Sequence, residues 1–282
     1  MVEALPAKQR LELTWALDQW ANWATDVCLS SRPEFVETLS NGISNHSFLV
    51  QSAKQQFVIR LDGENITDLN LSREREWQAQ SIAWQHQLAP RPIYQNTNHG
   101  VFISEYIPPA APIPGSNVEK TAELLLNIHK LPVLAFELDI IKQAKCYRDL
   151  ALLNQPEKKP DIENLWHPFL PIAKSAKALC TKKAFCHNDL LHDNRLRRPD
   201  KLVAIDWEYA AMADPFFDMA AIIEGDRLSQ NQARQLFDSY TQKNPLDNAE
   251  KRLALNRKLY RHIDRLWQLA TGIYPHNFIY KV

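Results

Sequence analysis

The sequence is poor in cysteine and has no long apolar run. Its four cysteines stand at spacings that fit neither a disulfide framework nor a paired zinc site: Cys28, Cys146, Cys180 and Cys186. We expect them to be reduced and buried. No segment approaches the roughly 18 uninterrupted apolar residues of a membrane-spanning helix. The sequence therefore predicts neither a disulfide-stapled fold nor a membrane span.

An excess of charge of one sign is also missing. Thirty-three basic residues balance thirty-three acidic ones, which argues against a large surface for nucleic acid or for an anionic membrane. The segment from Met1 to Arg10 has no targeting pattern. We therefore expect a cytoplasmic protein, and its 45% hydrophobic fraction is enough for a sizeable buried core.

The first part of the chain mixes helical and strand patterns. Apolar residues at helical spacing predict a helix from Lys8 to Trp23. Two β-type runs, His46 to Val50 and Gln56 to Leu61, are separated by a short polar stretch and predict a hairpin. A helix is predicted from Ser72 to Leu88, with Ser72 as its N-cap, and a strand from Val101 to Tyr106.

Glycine is scarce and proline is not, at six against seventeen. Prolines cluster between Pro108 and Pro114, where a central strand cannot easily continue. We therefore predict two parts, residues 1–107 and residues 108–282. In the second part, leucine spacing predicts a helix from Val118 to His129, and the end of the chain is also helical in pattern.

The densest polar cluster, His187 to Asn194, lies between two short apolar β-rich runs, Ala184 to Cys186 and Leu202 to Ile205. A second polar motif, Ile205 to Tyr209, begins at the end of the second run. The two motifs are thus predicted to lie at the ends of short buried strands, where sites are often built.

These two motifs suit phosphoryl transfer from ATP. That reaction needs oxygen ligands for magnesium and a carboxylate that orients the nucleophile. Asp189, Asn194 and Asp206 supply a carboxylate, a carboxamide five residues later and a second carboxylate beyond a hairpin. The arrangement predicts a small-molecule kinase.

The same residues carry a family resemblance. His187, Asp189 and Asn194 form a His-x-Asp-x4-Asn loop, and Asp206 is a later Asp. This resembles the aminoglycoside phosphotransferase and choline kinase superfamily, and the segment Asp214-Pro-Phe-Phe-Asp218 is most similar to bacterial choline and thiamine kinases. The resemblance covers roughly residues 36 to 225. It implies a two-lobed, protein-kinase-like α+β fold with a small antiparallel-sheet lobe and a larger, mostly helical lobe.

The resemblance also implies roles for the loop residues. Asp189 would be the catalytic base, and Asn194 and Asp206 would bind Mg²⁺. His187 would brace the loop, and Asp218 would hold it by hydrogen bonds without reacting.

For ATP, the resemblance implies that Arg60 holds the nucleotide phosphates, with an arginine where protein kinases have a lysine. Its helix partner would be Glu76, favoured over Glu74. Gly42 would lie in the loop that covers the phosphates, although a single glycine is a weak signal. Residues 1–107 would then form the nucleotide-binding lobe, and residues 108–282 the catalytic and substrate lobe.

Tyr209, Glu224 and Trp267 are the predicted acceptor-binding residues, since aromatic rings and a glutamate suit a quaternary ammonium. The acceptor is expected to be a small-molecule alcohol, with choline first, thiamine second and an aminoglycoside or another amino alcohol third. No nucleic acid or membrane partner is expected. The two aromatic residues also fit a purely structural place in the core.

Two other interpretations remain at this point. His187, Asp189, His192 and Asp193 are a mixture of histidine and carboxylate that suits a metal-dependent hydrolase. A pseudokinase would bind nucleotide without turnover. The hydrolase leaves Asp206 and Arg60 without a role, whereas the kinase uses both.

Overall fold

The N-terminal part of the fold is a five-stranded antiparallel sheet with a helix packed on one face. A computed structural model describes residues 5–23, 29–41, 45–63, 69–109 and 117–274. The sheet has the strand order β1-β2-β3-β5-β4. Its strands are β1 (Glu34–Asn41), β2 (Asn45–Ser52), β3 (Gln55–Asp62), β4 (Pro92–Asn96) and β5 (Val101–Glu105), and the helix is α1 (Ala7–Asp18).

Alternation along β3 explains why the sheet has two different faces. Phe57, Ile59 and Leu61 are buried in one cluster with Leu13 of α1. Because successive side chains of a strand point to opposite faces, Arg60 lies on the other face of the sheet. In the register of the sheet it stands opposite Ser47 and Phe102.

Helix α2 (Arg73–Gln85) lies between β3 and β4 in the sequence. Its N-cap is Ser72, whose hydroxyl accepts a hydrogen bond from the backbone N–H of Arg75. Glu74 and Glu76 follow in the first turn, where acidic residues favour the helix dipole. The cap fixes where the helix begins and therefore which face carries Glu76, which is fully buried.

The rest of the described chain is mostly helical, with two small two-stranded pairings, β6 with β9 and β7 with β8. The helices are α3 (Asn117–Ile128), α4 (Ile140–Asn154), α5 (Lys159–Leu179), α6 (Pro215–Gly225), α7 (Gln230–Thr241) and α8 (Ala249–Thr271). The strands are β6 (Ala184–Cys186), β7 (Arg195–Arg197), β8 (Leu202–Ala204) and β9 (Ala211–Ala213).

Helix α6 is the central element of this part, because its residues are buried on all sides. Phe216 and Met219 belong to a core formed with α3 and α7. Phe217 and Ala220 belong to a second core formed with α4, α5 and α8. A helix held by two cores is a rigid support for the loops that contact it.

The fold agrees with the predicted α+β class, with differences at the ends of elements. The predicted N-terminal helix stops at Asp18, and a separate 3₁₀ turn covers Trp20–Asn22. Strands β1 and β4 were not predicted, because neither has the strict alternation of β3. The boundary between residues 1–107 and 108–282 stays a prediction, although the sheet ends at Glu105.

The other general predictions have mixed outcomes. None of the described helices is both long and apolar enough to cross a bilayer. Cys186 is buried as expected, but Cys146 and Cys180 are only half-buried, so the prediction of burial was wrong for them. Cys28 lies outside the described residues.

Candidate active site

The loop after β6 is held by a carboxylate of α6. Asp218, in the first turn of that helix, accepts hydrogen bonds from the backbone N–H groups of His187, at 2.8 Å, and Asn188. Asn188 has a left-handed φ of 65°, a conformation that asparagine tolerates better than most residues. The hydrogen bonds predicted for Asp218 are therefore present, and Asp218 lines neither of the two cavities described below.

His187 is fully buried, and its ring Nε2 lies 2.9 Å from the carbonyl oxygen of Ile205. This contact ties the loop to the end of β8. Burial lowers the pKa of His187 below its ordinary value, which favours the neutral ring. The geometry fits the bracing role predicted for His187.

Asp189 and Asn194 lie side by side in this loop. The amide nitrogen of Asn194 donates to the Asp189 carboxylate at 3.0 Å and to the Asp189 carbonyl at 2.8 Å. Because the amide nitrogen is used in this way, the carbonyl oxygen of Asn194 is the atom suited to a metal. Sequence spacing brought these two side chains together as predicted.

Asp206 lies two residues after the end of β8 and has a left-handed φ of 63°. The backbone N–H of Ile205, one residue earlier, donates to the backbone carbonyl oxygen of Asn194 at 3.0 Å. The β7 and β8 strands therefore bring the two polar motifs together at one end of their pairing, although twelve residues separate Asn194 from Asp206 in the sequence.

Arg60 connects this end of the β7–β8 pair to the sheet and to α2. Its Nη1 donates to Asp206 Oδ1 at 2.8 Å, its Nη2 pairs with Glu76, and its guanidinium lies 4.9 Å from the Phe102 ring centroid. The structure thus selects Glu76 rather than the exposed Glu74 as the partner. Burial opposes ionisation of Arg60, but the charges of Glu76, Asp206 and Glu208 together outweigh it and raise the pKa of Arg60.

A second arginine, Arg73, completes the network and was not predicted. It donates to Glu76 at 2.6 Å, to Glu208 at 3.0 Å and to Asp62 at 2.7 Å. It also donates to the Asn45 side-chain oxygen at 2.5 Å. Its position three residues before Glu76, on the same helix face, was the sequence signal that would have found it.

A cavity of about 470 Å³ lies on the sheet side of Asp206; we call it the sheet-side cavity. Its walls combine apolar side chains with the polar groups just described. They include Val58, Phe102, Leu196, Arg60, Asn194 and Asp206. The cavity therefore places the positive charge of Arg60 next to Asn194 and Asp206.

A second cavity of about 250 Å³ lies on the other side of Asp206; we call it the helix-side cavity. It is lined by four acidic residues, Asp189, Asp206, Glu208 and Asp264. Its aromatic lining residues are Tyr147, Tyr209, Phe217, Tyr260 and Trp267. Asp206 lines both cavities, whereas Asp189 lines the helix-side cavity and Asn194 the sheet-side cavity.

The carboxylates of the helix-side cavity raise one another's pKa values. Burial, then the charges of Asp206, Glu208 and Asp264, raises the pKa of Asp189 well above its ordinary value. Burial and the charge of Asp206 raise the pKa of Glu208 to about 7. Burial also raises the pKa of Asp206, against the opposing charge of Arg60. Such crowding of buried and half-buried carboxylates favours a bound cation.

Of the predicted acceptor residues, Tyr209 and Trp267 line the helix-side cavity, but Glu224 does not. Its carboxylate pairs with Arg257 at 2.5 Å and with Arg261 at 3.0 Å. Besides Asp189 and Asp206, the acidic residues that line the cavity are Asp264 and Glu208. Glu208 is buried.

The remaining loop residues have different outcomes. Gly42 lies outside the described residues, so its predicted place over the phosphates stays a prediction. The side chains of His192 and Asp193 are exposed. Trp207 is fully buried and belongs to the core.

The residues around Asp206 fit a magnesium ion. The side-chain amide oxygen of Asn194 and the Asp206 carboxylate are hard oxygen donors, which Mg²⁺ prefers. Burial makes the ionised form of Asp206 costly despite the opposing charge of Arg60, and a divalent cation would offset that cost. Asn194 and Asp206 are thus the residues suited to hold the ion.

Residues 36–255 match the phosphotransferase enzyme family, and the chain belongs to that family. It is 42% identical over 91 residues to Protein LicA of Haemophilus influenzae, a match that covers 31% of this chain and 34% of that relative. The aligned segment therefore spans about a third of the curated relative. The predicted family is confirmed.

Solved structures share the fold. The choline kinase LicA of Streptococcus pneumoniae is 21% identical with a TM-score of 0.72, covering 85% of this chain and 86% of that one. A LicA structure in complex with AMP is 20% identical with a TM-score of 0.73, covering 92% and 90%. At such identities the likeness shows the fold, and the predicted kinase-like fold is confirmed.

Proposed function

We propose that this protein transfers the γ-phosphoryl group of ATP to the hydroxyl of a small cationic amino alcohol, with choline as the first candidate. The observation that carries this proposal is the position of Asp206, which lines both cavities. A phosphate bound next to Asp206 would lie between a nucleotide in one cavity and an acceptor in the other. Such a geometry suits in-line transfer.

The sheet-side cavity is the proposed nucleotide site. Its apolar walls suit a base, and Arg60 offers positive charge at the end where Asn194 and Asp206 stand. The LicA structure with AMP belongs to a protein of the same fold, which supports a nucleotide here. We assign this site to the proposed lobe of residues 1–107, closed by the β7–β8 pair of the second lobe.

The proposed mechanism depends mainly on position and charge. Magnesium held by Asn194 and Asp206 would supply positive charge next to the phosphates. Arg60, fixed by Glu76, would orient the phosphates, and Asp189 would accept the proton of the acceptor hydroxyl. The raised pKa of Asp189 makes it a better proton acceptor than an ordinary aspartate. Because ATP is the donor, we keep the cytoplasm as the proposed location.

The helix-side cavity supports a small cation as the acceptor. Its volume of about 250 Å³ is below the range of about 300–1,000 Å³ for drug-sized ligands, which favours choline over an aminoglycoside. Tyrosine and tryptophan rings attract a quaternary ammonium, and Glu208 and Asp264 add negative charge. Thiamine is the second candidate because it also carries a cation and a hydroxyl.

The metal-hydrolase alternative finds less support. It needs His187, Asp189, His192 and Asp193 around one ion. His187 is buried with its Nε2 close to the Ile205 carbonyl, while His192 and Asp193 are exposed. The pseudokinase alternative is left to experiment, because it differs from the kinase only in turnover.

The direct test is ADP release by the purified protein with magnesium and ATP. Choline, ethanolamine, thiamine and an aminoglycoside would be compared, with Asp189→Asn as the variant. We expect turnover with choline, and a fall in kcat of about 10²–10⁴-fold in the variant, the usual contribution of a positioned base. The ADP affinity should stay the same, because Asp189 does not line the sheet-side cavity.

Each outcome of this test has a definite meaning. Turnover with thiamine alone would move the substrate within the same reaction class. ADP binding without turnover of any acceptor would favour the pseudokinase. Near-normal kcat in Asp189→Asn would overturn the assigned base.

A further inference from the structure

The C-terminal end of α6 contacts the loop that carries Asn194. Asp226, the C-cap of this helix, accepts a hydrogen bond from the backbone N–H of His192 at 2.8 Å through Oδ1. Through Oδ2 it pairs with the guanidinium of Arg195. His192 opens the 3₁₀ turn that ends at Asn194, and Arg195 follows it. One carboxylate therefore holds both sides of the turn that presents Asn194.

The same contact extends to Asp206 through the β7–β8 pair. Arg195 begins β7 and stands opposite Ala204 in β8. In the next hydrogen bond, the backbone N–H of Ile205 donates to the backbone carbonyl oxygen of Asn194 at 3.0 Å. Asp206 is the residue after Ile205. Displacement of Arg195 would therefore move Asn194 and Asp206 together.

The Asp226–Arg195 pair is well enclosed. The side chains of Arg195 and Asp226 are 6% and 9% exposed, and Arg195 also donates to the Thr121 hydroxyl of α3 at 3.0 Å. A buried ion pair contributes little net stability but has few alternative geometries. This suits it to hold a position rather than to hold the fold together.

Helix α6 thus holds the loop at two points. Asp218, in its first turn, binds the backbone N–H groups of His187 and Asn188. Asp226, at its end, binds His192 and Arg195. Asp189 and Asn194 lie close to these two anchors in the sequence, and a buried helix fixes the distance between the anchors.

We propose that Asp226 is a positioning residue that sets the geometry of the metal ligands Asn194 and Asp206 from outside both cavities. The inference rests on the metal site of the proposed function. In proteins with bound metals, partners of the ligands affect metal affinity by about 10–100-fold, and Asp226 acts one step further out through Arg195 and the backbone.

Gly225, one residue earlier, provides a built-in comparison. A Cβ placed on Gly225 would overlap the Leu191 side chain, and Leu191 lines the helix-side cavity. Gly225→Ala should therefore disturb the acceptor side of the loop, whereas Asp226 variants should disturb the metal side. Gly225→Ala would then weaken acceptor binding and leave Mn²⁺ affinity unchanged, whereas Asp226 variants would weaken Mn²⁺ affinity.

The experiment measures Mn²⁺ binding in the presence of ADP, by the electron paramagnetic resonance signal of free Mn²⁺. Asp226→Asn keeps an acceptor for His192 but loses the charge, and Asp226→Ala loses both. We expect the Mn²⁺ dissociation constant to rise by about threefold to tenfold in Asp226→Asn, and further in Asp226→Ala, within the range for partners of metal ligands. Gly225→Ala should leave it within about twofold of wild type.

Asp214→Asn is the matched control for stability. Asp214 caps the other end of α6 and pairs with buried Arg252 at 2.8 Å. Its loss should lower the melting temperature without changing Mn²⁺ affinity. Any variant that only loosens α6 should likewise lower the melting temperature and keep its Mn²⁺ affinity. A loss of Mn²⁺ affinity in the Asp226 variants but not in Asp214→Asn would therefore show positioning rather than stability.

Unchanged Mn²⁺ affinity in folded Asp226→Ala would overturn the inference, and so would an absence of Mn²⁺ binding in the wild-type protein. An equal loss of affinity in Asp214→Asn would also overturn it, because the effect would then be one of general stability. Wild-type protein that binds Mn²⁺ with ADP but turns over no acceptor would contradict the proposed function alone, and the Asp226 series would still decide the inference.

Discussion

The two cavities on either side of Asp206 differ in their charged side chains. The sheet-side cavity is lined by both signs of charge, Arg60 and Arg197 beside Glu105, Asp193 and Asp206, and Arg60 belongs to the buried network of Arg73 and Glu76. On the helix side, the charges that act on Asp189 come from other carboxylates, Asp206, Glu208 and Asp264. The sheet side thus offers cations next to its carboxylates for an anionic ligand, and the helix side offers excess negative charge for a cationic one.

The pKa values show how each side is maintained. Burial opposes ionisation of Glu76, but Arg60 and Arg73 outweigh it and lower the pKa of Glu76. In the helix-side cavity burial wins, and the pKa of Glu208 rises to about 7. The charges of the Arg60–Arg73–Glu76 network therefore compensate one another without a ligand, whereas a cation would relieve the crowded carboxylates of the helix side.

The largest effect is expected from breaking the sheet-side network at Arg73. Arg73→Met would leave Glu76 and Glu208 buried with less compensating charge, so the free energy of unfolding should fall by about 3–5 kcal/mol, the cost of breaking a buried pair. Urea denaturation would measure it. Arg75→Met is the control, since Arg75 is exposed and its guanidinium lies 5.2 Å from the Phe136 ring. A change of about 1 kcal/mol or less is expected there.

A loss in Arg73→Met no greater than that in Arg75→Met would show that the buried network does not support the fold. The comparison between the two cavities would then lose its energetic basis.

The sequence predicted the loop residues and the Arg60–Glu76 pair better than the acceptor-binding residues of the helix-side cavity, for a physical reason. Asp189, Asn194 and Asp206 lie on one loop and one hairpin, so short spacings determine their proximity. Arg60 and Glu76 could also be placed, because they occupy a strand and the helix that follows it. Local patterns of this kind are visible in the sequence.

The helix-side cavity draws on distant elements. Tyr147 comes from α4, Tyr209 follows β8, and Asp264 and Trp267 come from α8. How helices cross depends on packing that spacing along one helix does not contain. This is why Glu224 was predicted to face the acceptor, while the structure pairs it with Arg257 and Arg261 and places Asp264 in the cavity instead.

The next largest effect is expected at the residue that both cavities share. Asp206→Asn keeps a side chain that tolerates the left-handed backbone but removes the charge suited to magnesium. We expect kcat to fall by at least about 100-fold and the half-saturating Mg²⁺ concentration to rise. Steady-state ADP release at several Mg²⁺ concentrations would measure both.

The control for Asp206 is Asp200→Asn, since Asp200 is an exposed residue between β7 and β8. It should match wild type in kcat and in Mg²⁺ dependence. An unchanged magnesium titration in Asp206→Asn would contradict its place as a metal ligand.

A smaller effect is expected at Trp267, on the helix side alone. Trp267→Ala should raise the choline KM by about fivefold to thirtyfold, since a cation–π contact contributes about 1–2 kcal/mol when desolvated. ADP affinity should not change, and Trp267→Phe should recover part of the loss. Equal weakening of choline and ADP would show that Trp267 supports the fold, as a core aromatic residue would.

The smallest effect is expected from a comparison of Asp264, which lines the helix-side cavity, with Glu224, which was predicted to bind the acceptor. Asp264→Asn should raise the choline KM by about fivefold, because one charge at such a site contributes on the order of 1 kcal/mol. Glu224→Gln should change it less than about twofold, since its ion pairs lie outside the cavity and such pairs contribute little.

Repeating both measurements with 3,3-dimethyl-1-butanol, an uncharged analogue of choline, sharpens the contrast. Asp264→Asn should then have no effect, because the attraction needs a positive charge on the acceptor. If Asp264→Asn weakens the uncharged alcohol as much as choline, Asp264 acts through the shape of the cavity, and the contrast in charge between the two cavities does not set the choice of acceptor.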